Sequence, residues 1–452
     1  MTDTIFALAT PPGRSGVAVV RVSGPASWSS AKLLTGKDIP ARQAALCTLR
    51  DGSEMIDRAL VLGFKAPASF TGEDVVEYHI HGGRAVIDSL IRVLSAQKSH
   101  RMAMPGEFTR RAFENGKMDL TEAEAIADLI NAETQEQKTQ ALAQMEGGLS
   151  RLYASWTEEL KKSLAHVEAD LEFPDEDLPQ GIAPTIRPVL QNLISQIDLH
   201  LNDNRRGERL REGIHIAVIG APNAGKSSLV NALAQRDVAI VSDIAGTTRD
   251  VIEAHLDLGG YPVILSDTAG LRPDQISNEG QGAIESEGIR RALNRAQEAD
   301  IKLLVFDGTQ KNPDVHTLAL MDENSLMVIN KLDCHPEGAQ RLKDLEILRF
   351  AQDDSVSVSA ATGKGLDELI VALIARIKTL IGRSEAPSLT RARHRHALEE
   401  CRVSLQRALI ADLPELMAED MRLAIRALGR ITGRVDVEDL LDVIFRDFCI
   451  GK

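Results

Sequence analysis

The chain has 452 residues, 43% of them hydrophobic, and a formal net charge of −14. That length allows about three domains with ample core, and the acidic balance excludes a polycation, so any nucleic-acid contact has to come from a local basic face. Aromatics at 3% argue against single-strand recognition by base stacking, and Cys47, Cys334, Cys401 and Cys449 are scattered without metal-type spacing.

The first residues lack a basic region ahead of an apolar core, and no stretch reaches the roughly 18 apolar residues of a membrane span. A cytoplasmic protein with no membrane partner is expected. Residues 1–118 read as α+β, with strands over 16–22 and 74–80 and a helix over 84–95. Glu77, His79 and His81 alternate along one strand and so share a face, either as polar surface or as metal ligands. Residues 105–113, PGEFTRRAF, carry no mechanism readable from their spacing.

Composition shifts at Asp119. Thr121 and Glu124 suit a capping box, followed by a helix bearing Ile126, Leu129 and Ile130. A second helix passes Leu160 and Leu164 and stops near Phe173 and Pro174, and Leu190, Ile194, Ile197 and Leu201 mark one face of a third. The polar run 202–213, with Arg205, Arg206, Arg209 and Arg211, reads as a solvated linker.

Residues 214–230 read IHIAVIGAPNAGKSSLV: an apolar run, then Gly220-x-x-x-x-Gly225-Lys226-Ser227, then the start of a helix. Glycines of this spacing let the backbone wrap phosphate oxygens, and the helix N-terminus adds partial positive charge. Lys226 then reaches the β- and γ-phosphates, and the Ser227 hydroxyl holds Mg²⁺. Three further motifs follow, each where a parallel strand should end. They are Asp267-Thr268-Ala269-Gly270, Asn330-Lys331-Leu332-Asp333 and Ser359-Ala360-Ala361. Asp267 can meet Mg²⁺ through water, and the Gly270 N–H can sense the γ-phosphate. The Asp333 carboxylate can accept two N–H bonds from guanine, whereas adenine would leave it unpaired, so the site reads GTP. The Ser359 loop suits a backbone contact to the guanine carbonyl.

These motifs define an α/β P-loop G domain with a Ras-like parallel sheet over 214–377. Residues 241–250 occupy the place of the first switch, where Thr248 is the candidate second protein ligand of Mg²⁺. Position 271 is Leu, where many related GTPases carry a water-orienting Gln. From 378 the pattern is helical again. Arg391, Arg393, His394, Arg395 and His396 form a basic cluster, and Arg422, Arg426, Arg430 and Arg434 recur every four residues. Two readings of that stripe stay open: a salt-bridged bundle surface or a phosphate-tracking face. The final Cys449-Ile450-Gly451-Lys452 ends in Lys, which does not suit prenylation.

Over essentially its whole length the chain resembles the MnmE (TrmE) family of tRNA-modification GTPases. The carriers are Thr-Pro-Pro-Gly-Arg over 10–14, Ser-Phe-Thr-Gly-Glu-Asp over 69–74, Pro-Gly-Glu-Phe-Thr over 105–109, Gly-Thr-Thr-Arg-Asp over 246–250 and the Cys-Ile-Gly-Lys end. The resemblance implies a multidomain chain: an α+β folate-binding, dimerising domain at 1–118, a discontinuous helical domain at 119–213 and 378–452, and the inserted G domain at 214–377. It implies a homodimer that works with the flavoprotein MnmG, as a heterotetramer or larger assembly, on tRNA. The product is an aminomethyl or carboxymethylaminomethyl group at C5 of the wobble uridine.

Residue by residue, the resemblance places GTP contacts on Asn223, Ala224, Gly225, Lys226, Ser227 and Ser228. Further GTP contacts fall on Ser242, Asp243, Ile244, Ala245, Gly246, Thr247 and Thr248, and then on Asp267, Thr268, Ala269, Gly270, Asn330, Lys331, Asp333, Ser359, Ala360 and Ala361. It places Mg²⁺ on Ser227 and Thr248, and K⁺ on Asn223, Ser242, Ile244 and Thr247. A 5-formyl- or 5,10-methylene-tetrahydrofolate falls on Arg21, Glu77, Lys117 and Lys452, with the Cys449 thiol either reactive or merely positioned. The catalytic pair is Lys226 and Glu285, with Glu279 and Glu287 as alternatives because the segment after Gly270 is longer than the family pattern. A ribosome-assembly GTPase that docks on RNA is the rival reading. It has no need of the folate residues or of the Cys-Ile-Gly-Lys end.

Overall fold

The structure is a computed structural model that describes residues 3–172, 183–236, 238, 253–267, 298–310, 312–334, 355–382, 387–435, 438–446, 448 and 450–451, with only the backbone at 183–184 and 438–440. It divides into two compact units, one of Met1–Ala127, Gln144–Ile194 and Ala397–Lys452, the other of Asp128–Ala143 and Ser195–His396. Among the described residues no helix is long and apolar enough to cross a membrane.

In the first unit β1 (Thr4–Leu8), β2 (Ser15–Ser23), β3 (Ala45–Asp51), β4 (Glu54–Phe64), β5 (Val75–Gly82) and β6 (His100–Met102) form a sheet in the order β3-β4-β5-β2-β1-β6. Alternation sends Val20, Val22, Tyr78 and Ile80 into a core shared with Ala31 and Leu34 of α1 (Ser27–Thr35) and Leu90 and Leu94 of α2 (Arg84–Ser95). The other face of the same strands therefore carries Arg21 and Glu77, which stand directly opposite one another across β2 and β5.

Helix α3 (Glu107–Glu114) gives the PGEFTRRAF stretch a structural role. Arg111 is 1% exposed and bonds Asp3, Glu73 and Glu107 at 3.0 to 3.1 Å. Helix α4 (Leu120–Asn131) does start with a capping box, but two residues earlier than expected. The Asp119 carboxylate accepts from the Glu122 N–H at 3.0 Å, and the Glu122 carboxylate accepts from the Asp119 N–H at 2.8 Å. Thr121 and Glu124 are buried instead. After α5 (Gln135–Met145) and α6 (Gly148–Glu172) comes α7 (Ala183–Leu201), which buries Leu190, Leu193 and Ile197 as its period requires.

The expected solvated linker is α8 (Arg206–Glu212), and its arginines are held. Arg205 pairs with Glu208 at 2.6 Å, Arg209 with Asp300 at 2.6 Å and Arg211 with Asp128 at 3.1 Å. The pair at Arg205 is local and that arginine stays exposed, but the partners of Arg209 and Arg211 lie far along the sequence and pin this turn of helix, which composition alone could not reveal.

In the second unit β7 (Ile214–Ile219), α9 (Lys226–Ala234), β8 (Glu253–Leu258), β9 (Tyr261–Asp267), β10 (Ile301–Asp307), α10 (Val315–Leu318), β11 (Ser325–Asn330), β12 (Ser355–Ser357) and α11 (Leu366–Ile381) form the P-loop fold. The sheet order is β12-β11-β10-β7-β9-β8, parallel except for β8 against β9. Ile216 and Val218 face a core with Leu229 and Leu373, and Ala217 and Ile219 face a second core with Phe306 and Met327. Burial on both faces explains why these strands read as unbroken apolar runs. Helices α12 (Ala392–Ile410), α13 (Pro414–Thr432) and α14 (Glu438–Arg446) follow, with α13 packed along α6.

Candidate functional site

The sheet order brings β7, β9, β10 and β11 side by side, so their C-terminal loops converge. At the end of β7 a Cβ on Gly220 would run into the Val305 carbonyl, and one on Gly225, at φ 91°, into the Asn330 amide. Both positions need glycine for that close approach. Asn223 itself takes a positive φ of 63°. Lys226 opens α9, is 7% exposed, and donates to the carbonyls of Gly220 at 2.8 Å and Ala221 at 2.9 Å. Burial pushes its pKa down, while Asp267 and Asp314 oppose the shift.

Ser227 donates its hydroxyl to the Asp267 carboxylate at 2.5 Å, and Asp267 is fully buried. Asn330 then bridges two loops: its amide nitrogen donates to the Ala224 carbonyl at 2.9 Å and its oxygen accepts from the Ala360 N–H at 3.0 Å. At the base end, Ser359 donates to Asp333 at 2.5 Å, and this bond holds the exposed Asp333 carboxyl below the usual range. Lys331 pairs with Asp307 at 2.7 Å. Burial would raise the Asp307 pKa, but the bonds from Lys331 and Thr309 outweigh it and leave the group ionised. The structure thus brings Asn223, Ala224, Gly225, Lys226, Ser227, Ser228, Asp267, Asn330, Lys331, Asp333, Ser359, Ala360 and Ala361 to one edge of the sheet. Ser242, Asp243, Ile244, Ala245, Gly246, Thr247, Thr248, Thr268, Ala269, Gly270, Glu279, Glu285 and Glu287 lie outside the described residues.

A second site lies on the face of the N-terminal sheet that carries Arg21 and Glu77. Arg42, Phe64, Ala68, Ser69, Phe70, Val75, Glu77 and Lys117 line a cavity of about 480 Å³. Arg21 donates to Glu77 at 2.8 Å and stands 5.3 Å from the Phe70 ring centroid. Lys117 donates to the Pro67 carbonyl at 3.1 Å and Arg42 to the Ala68 carbonyl at 2.8 Å. Glu77 and Lys117 therefore share one cavity, with Arg21 behind Glu77, while Cys449 and Lys452 lie outside the described residues. The strand face carrying His79 and His81 is no metal centre. His81 bonds Asp57 at 2.8 Å, Glu77 is taken by Arg21, and no metal-type cluster of His, Cys, Asp and Glu exists among the described residues.

The basic stretches divide. Arg391 pairs with Asp128 at 2.8 Å, Arg395 with Asp203 at 2.7 Å, and His394 is buried, so these three are held within the fold, while His396 is exposed. In the α13 stripe Arg422 pairs with Glu168 at 2.8 Å and Arg430 with Glu400, whereas Arg426 and Arg434 are exposed. At Arg422 and Arg430 the salt-bridged reading holds.

A family model described as the MnmE helical domain matches residues 120–449, and one described as the GTP-binding protein TrmE N-terminus matches residues 4–117. The tRNA modification GTPase MnmE of Parvibaculum lavamentivorans is 53% identical over 458 residues, covering 100% of both chains. That of Rhodospirillum rubrum is 51% identical over 465 residues, covering 100% of this chain and 99% of the relative. Among solved structures, the G domain of the T. maritima FeoB iron transporter is 24% identical over 36% of this chain and 98% of its own, with a TM-score of 0.25. The two family matches abut across nearly the full length, and the full-length relatives agree with them. This chain belongs to the MnmE family of tRNA modification GTPases.

Proposed function

We propose that this GTPase hydrolyses GTP to GDP and phosphate in a cycle that drives modification of C5 of the wobble uridine, position 34, of certain tRNAs. It acts as a homodimer with the flavoprotein MnmG, and a 5-formyl- or 5,10-methylene-tetrahydrofolate occupies the N-terminal cavity. The observation that carries the reading is the joining, in one chain, of the guanine-type loops with a separate cavity that holds Glu77 and Lys117. A switch that only docks on RNA has no use for the second site.

In the G domain, Asp333 accepts the two guanine N–H bonds while Ser359 keeps its carboxylate aimed. On GTP binding Lys226 exchanges the loop carbonyls it now bonds for phosphate oxygens, a stronger charge-assisted contact. The Ser227 hydroxyl and the buried Asp267 carboxylate meet at one point, an all-oxygen pair that fits a hard cation. Ser227 with Thr248 would hold Mg²⁺, with Asp267 one shell out, and the ion neutralises charge on the phosphate oxygens when bound. The exposed Asn223 carboxamide, set in the phosphate loop by its positive φ, suits a weakly hydrated monovalent ion. With Ser242, Ile244 and Thr247 it would hold K⁺. Glu285 orients the attacking water, which Leu271 cannot do.

In the N-terminal cavity, apolar Phe64, Phe70 and Val75 suit the flat bicycle of a pterin. The Glu77 carboxylate, fixed by Arg21, suits the paired N–H donors of its aminopyrimidine edge. Lys117 and Lys452 supply positive charge, and Cys449 stands with Lys452 at the chain's end.

The test is mass spectrometry of tRNA nucleosides from a strain lacking this gene and from the strain complemented with wild type or with the Glu77→Gln and Asp333→Asn variants. The reading expects the C5-modified wobble uridine to vanish in the deletion and in both variants. Unaltered uridine modification in the deletion would overturn it and leave the ribosome-docking rival.

A further inference from the structure

Arg42 lines the N-terminal cavity with Glu77 and Lys117. It follows an isolated bridge between Ala41 and Gly63 and sits at a positive φ of 57°, with its own N–H donating to the Gly63 carbonyl at 2.8 Å. Backbone anchoring of a non-glycine residue in that region fixes where its side chain leaves the chain. The guanidinium then donates to the Ala68 carbonyl at 2.8 Å, while Lys117 donates to the neighbouring Pro67 carbonyl at 3.1 Å. Two cations thus grip adjacent carbonyls of one cavity-lining turn. Both are exposed, whereas Glu77 is half-buried. The cavity thus combines a half-buried carboxylate, the apolar rings of Phe64 and Phe70, and two exposed cations.

A guanidinium has five N–H donors in a planar fork, and one bond to Ala68 leaves capacity for a carboxylate. We propose that Arg42 binds the glutamate-tail carboxylates of the folate, so that the site favours tailed over tail-less pterins and polyglutamates over the monoglutamate. This rests on the folate reading of the cavity. A molecule that meets Glu77 with its donor-rich ring can extend its acidic tail toward the exposed Arg42 and Lys117, where the carboxylates meet positive charge. Arg42 is then a specificity residue and takes no part in one-carbon transfer.

The experiment is calorimetric titration of the full-length protein with three probes: 5-formyl-tetrahydrofolate, its triglutamate, and 5-formyl-6-methyltetrahydropterin, which has the bicycle without the tail. Wild type, Arg42→Gln and Arg42→Lys are compared, with GTP affinity as the control for folding. The expected result is that Arg42→Gln loses affinity on the order of fivefold for the monoglutamate and more for the triglutamate, with a flatter salt dependence. It binds the tail-less pterin as wild type does, and Arg42→Lys recovers part of the loss. Equal losses on all three probes would make Arg42 a clamp on the Ala68 turn, and no loss on any would make it irrelevant; either overturns the proposal. If wild type binds none of the probes, the folate reading itself falls and the proposal with it.

Discussion

Ser359 donates its hydroxyl to Asp333 at 2.5 Å, and the two residues come from loops 26 positions apart. The bond fixes the carboxylate proposed to read the base and holds its pKa below the usual carboxylate value. Asp333→Asn replaces an acceptor by a donor where guanine donates and xanthine accepts. Preference is expected to move from GTP to XTP, by up to about ten-thousandfold, as measured by competition binding. Ser359→Ala is expected to weaken GTP binding while retaining the preference for GTP over XTP. Equal GTP affinity in wild type and Asp333→Asn would remove the guanine-reading assignment.

The phosphate loop was legible because its chemistry is local: Gly220, Gly225, Lys226 and Ser227 fall within one short stretch of sequence. Asn330 was legible as a motif but not as the tie between Ala224 and Ala360, which needs the sheet order. The cap of α4 was missed by two residues because Asp119 with Glu122 and Thr121 with Glu124 satisfy the same spacing, and only burial of the second pair decides between them. Arg209 and Arg211 looked solvated because their partners Asp300 and Asp128 lie about 80 to 90 residues away. Arg42 gave no signal at all, since a single arginine in a loop announces neither its positive φ nor its cavity. For Arg111 there was one: Glu107 four residues earlier on a helix that buries Phe108 and Ala112.

Arg111 is the hub of a buried network with Asp3, Glu73 and Glu107. Removing it leaves Glu73 without its cation, while Glu107 and Asp3 keep Arg101 at 2.5 and 2.6 Å, so the loss is expected below the roughly 3 to 5 kcal/mol of a fully buried broken pair, at about 2 kcal/mol. Arg111→Ala is therefore expected to lower the denaturant midpoint reported by Trp28 and Trp156 fluorescence, both tryptophans lying in the same unit as Arg111. GTP affinity should persist. A loss of unfolding free energy below about 1 kcal/mol, taken as the midpoint shift times the m-value, would show that the network is dispensable.

His200 on α7 is 9% exposed, and burial, reinforced by His394 and Arg395 against Asp203, pushes its pKa down from 6.5 to about 4. The unfolded chain thus takes up a proton near pH 6.5 that the folded chain refuses until about pH 4. Stability is whole above the unfolded value and falls as pH drops through that window, by about 3 kcal/mol in all. Release of a fluorescent GDP analogue on denaturation, followed from pH 7 to pH 4, should show the slope in wild type. His200→Asn should flatten it, and an identical slope in both proteins would assign the acid sensitivity elsewhere.

Charge on the transferred phosphoryl group has to be met in a chain whose position 271 is Leu. Beyond Mg²⁺ and Lys226 a further cation is needed, commonly an arginine. Arg249, outside the described residues, could act in cis, but the positive φ of Asn223 sets its carboxamide within the phosphate loop, where it suits a monovalent ion. An ion held by one side-chain oxygen and several carbonyls of the first switch would also order that switch, linking ion, γ-phosphate and pairing of G domains. Asn223→Ala removes the oxygen but adds about 1 to 2 kcal/mol of left-handed strain, whereas Asn223→Gly removes it without strain. The measurement is steady-state GTP hydrolysis with K⁺ exchanged for Na⁺ at constant ionic strength. Wild type and Arg249→Ala should lose most activity in Na⁺, and both Asn223 variants should lose K⁺ stimulation while retaining nucleotide binding. Hydrolysis indifferent to K⁺ but abolished in Arg249→Ala would show that the arginine carries the charge.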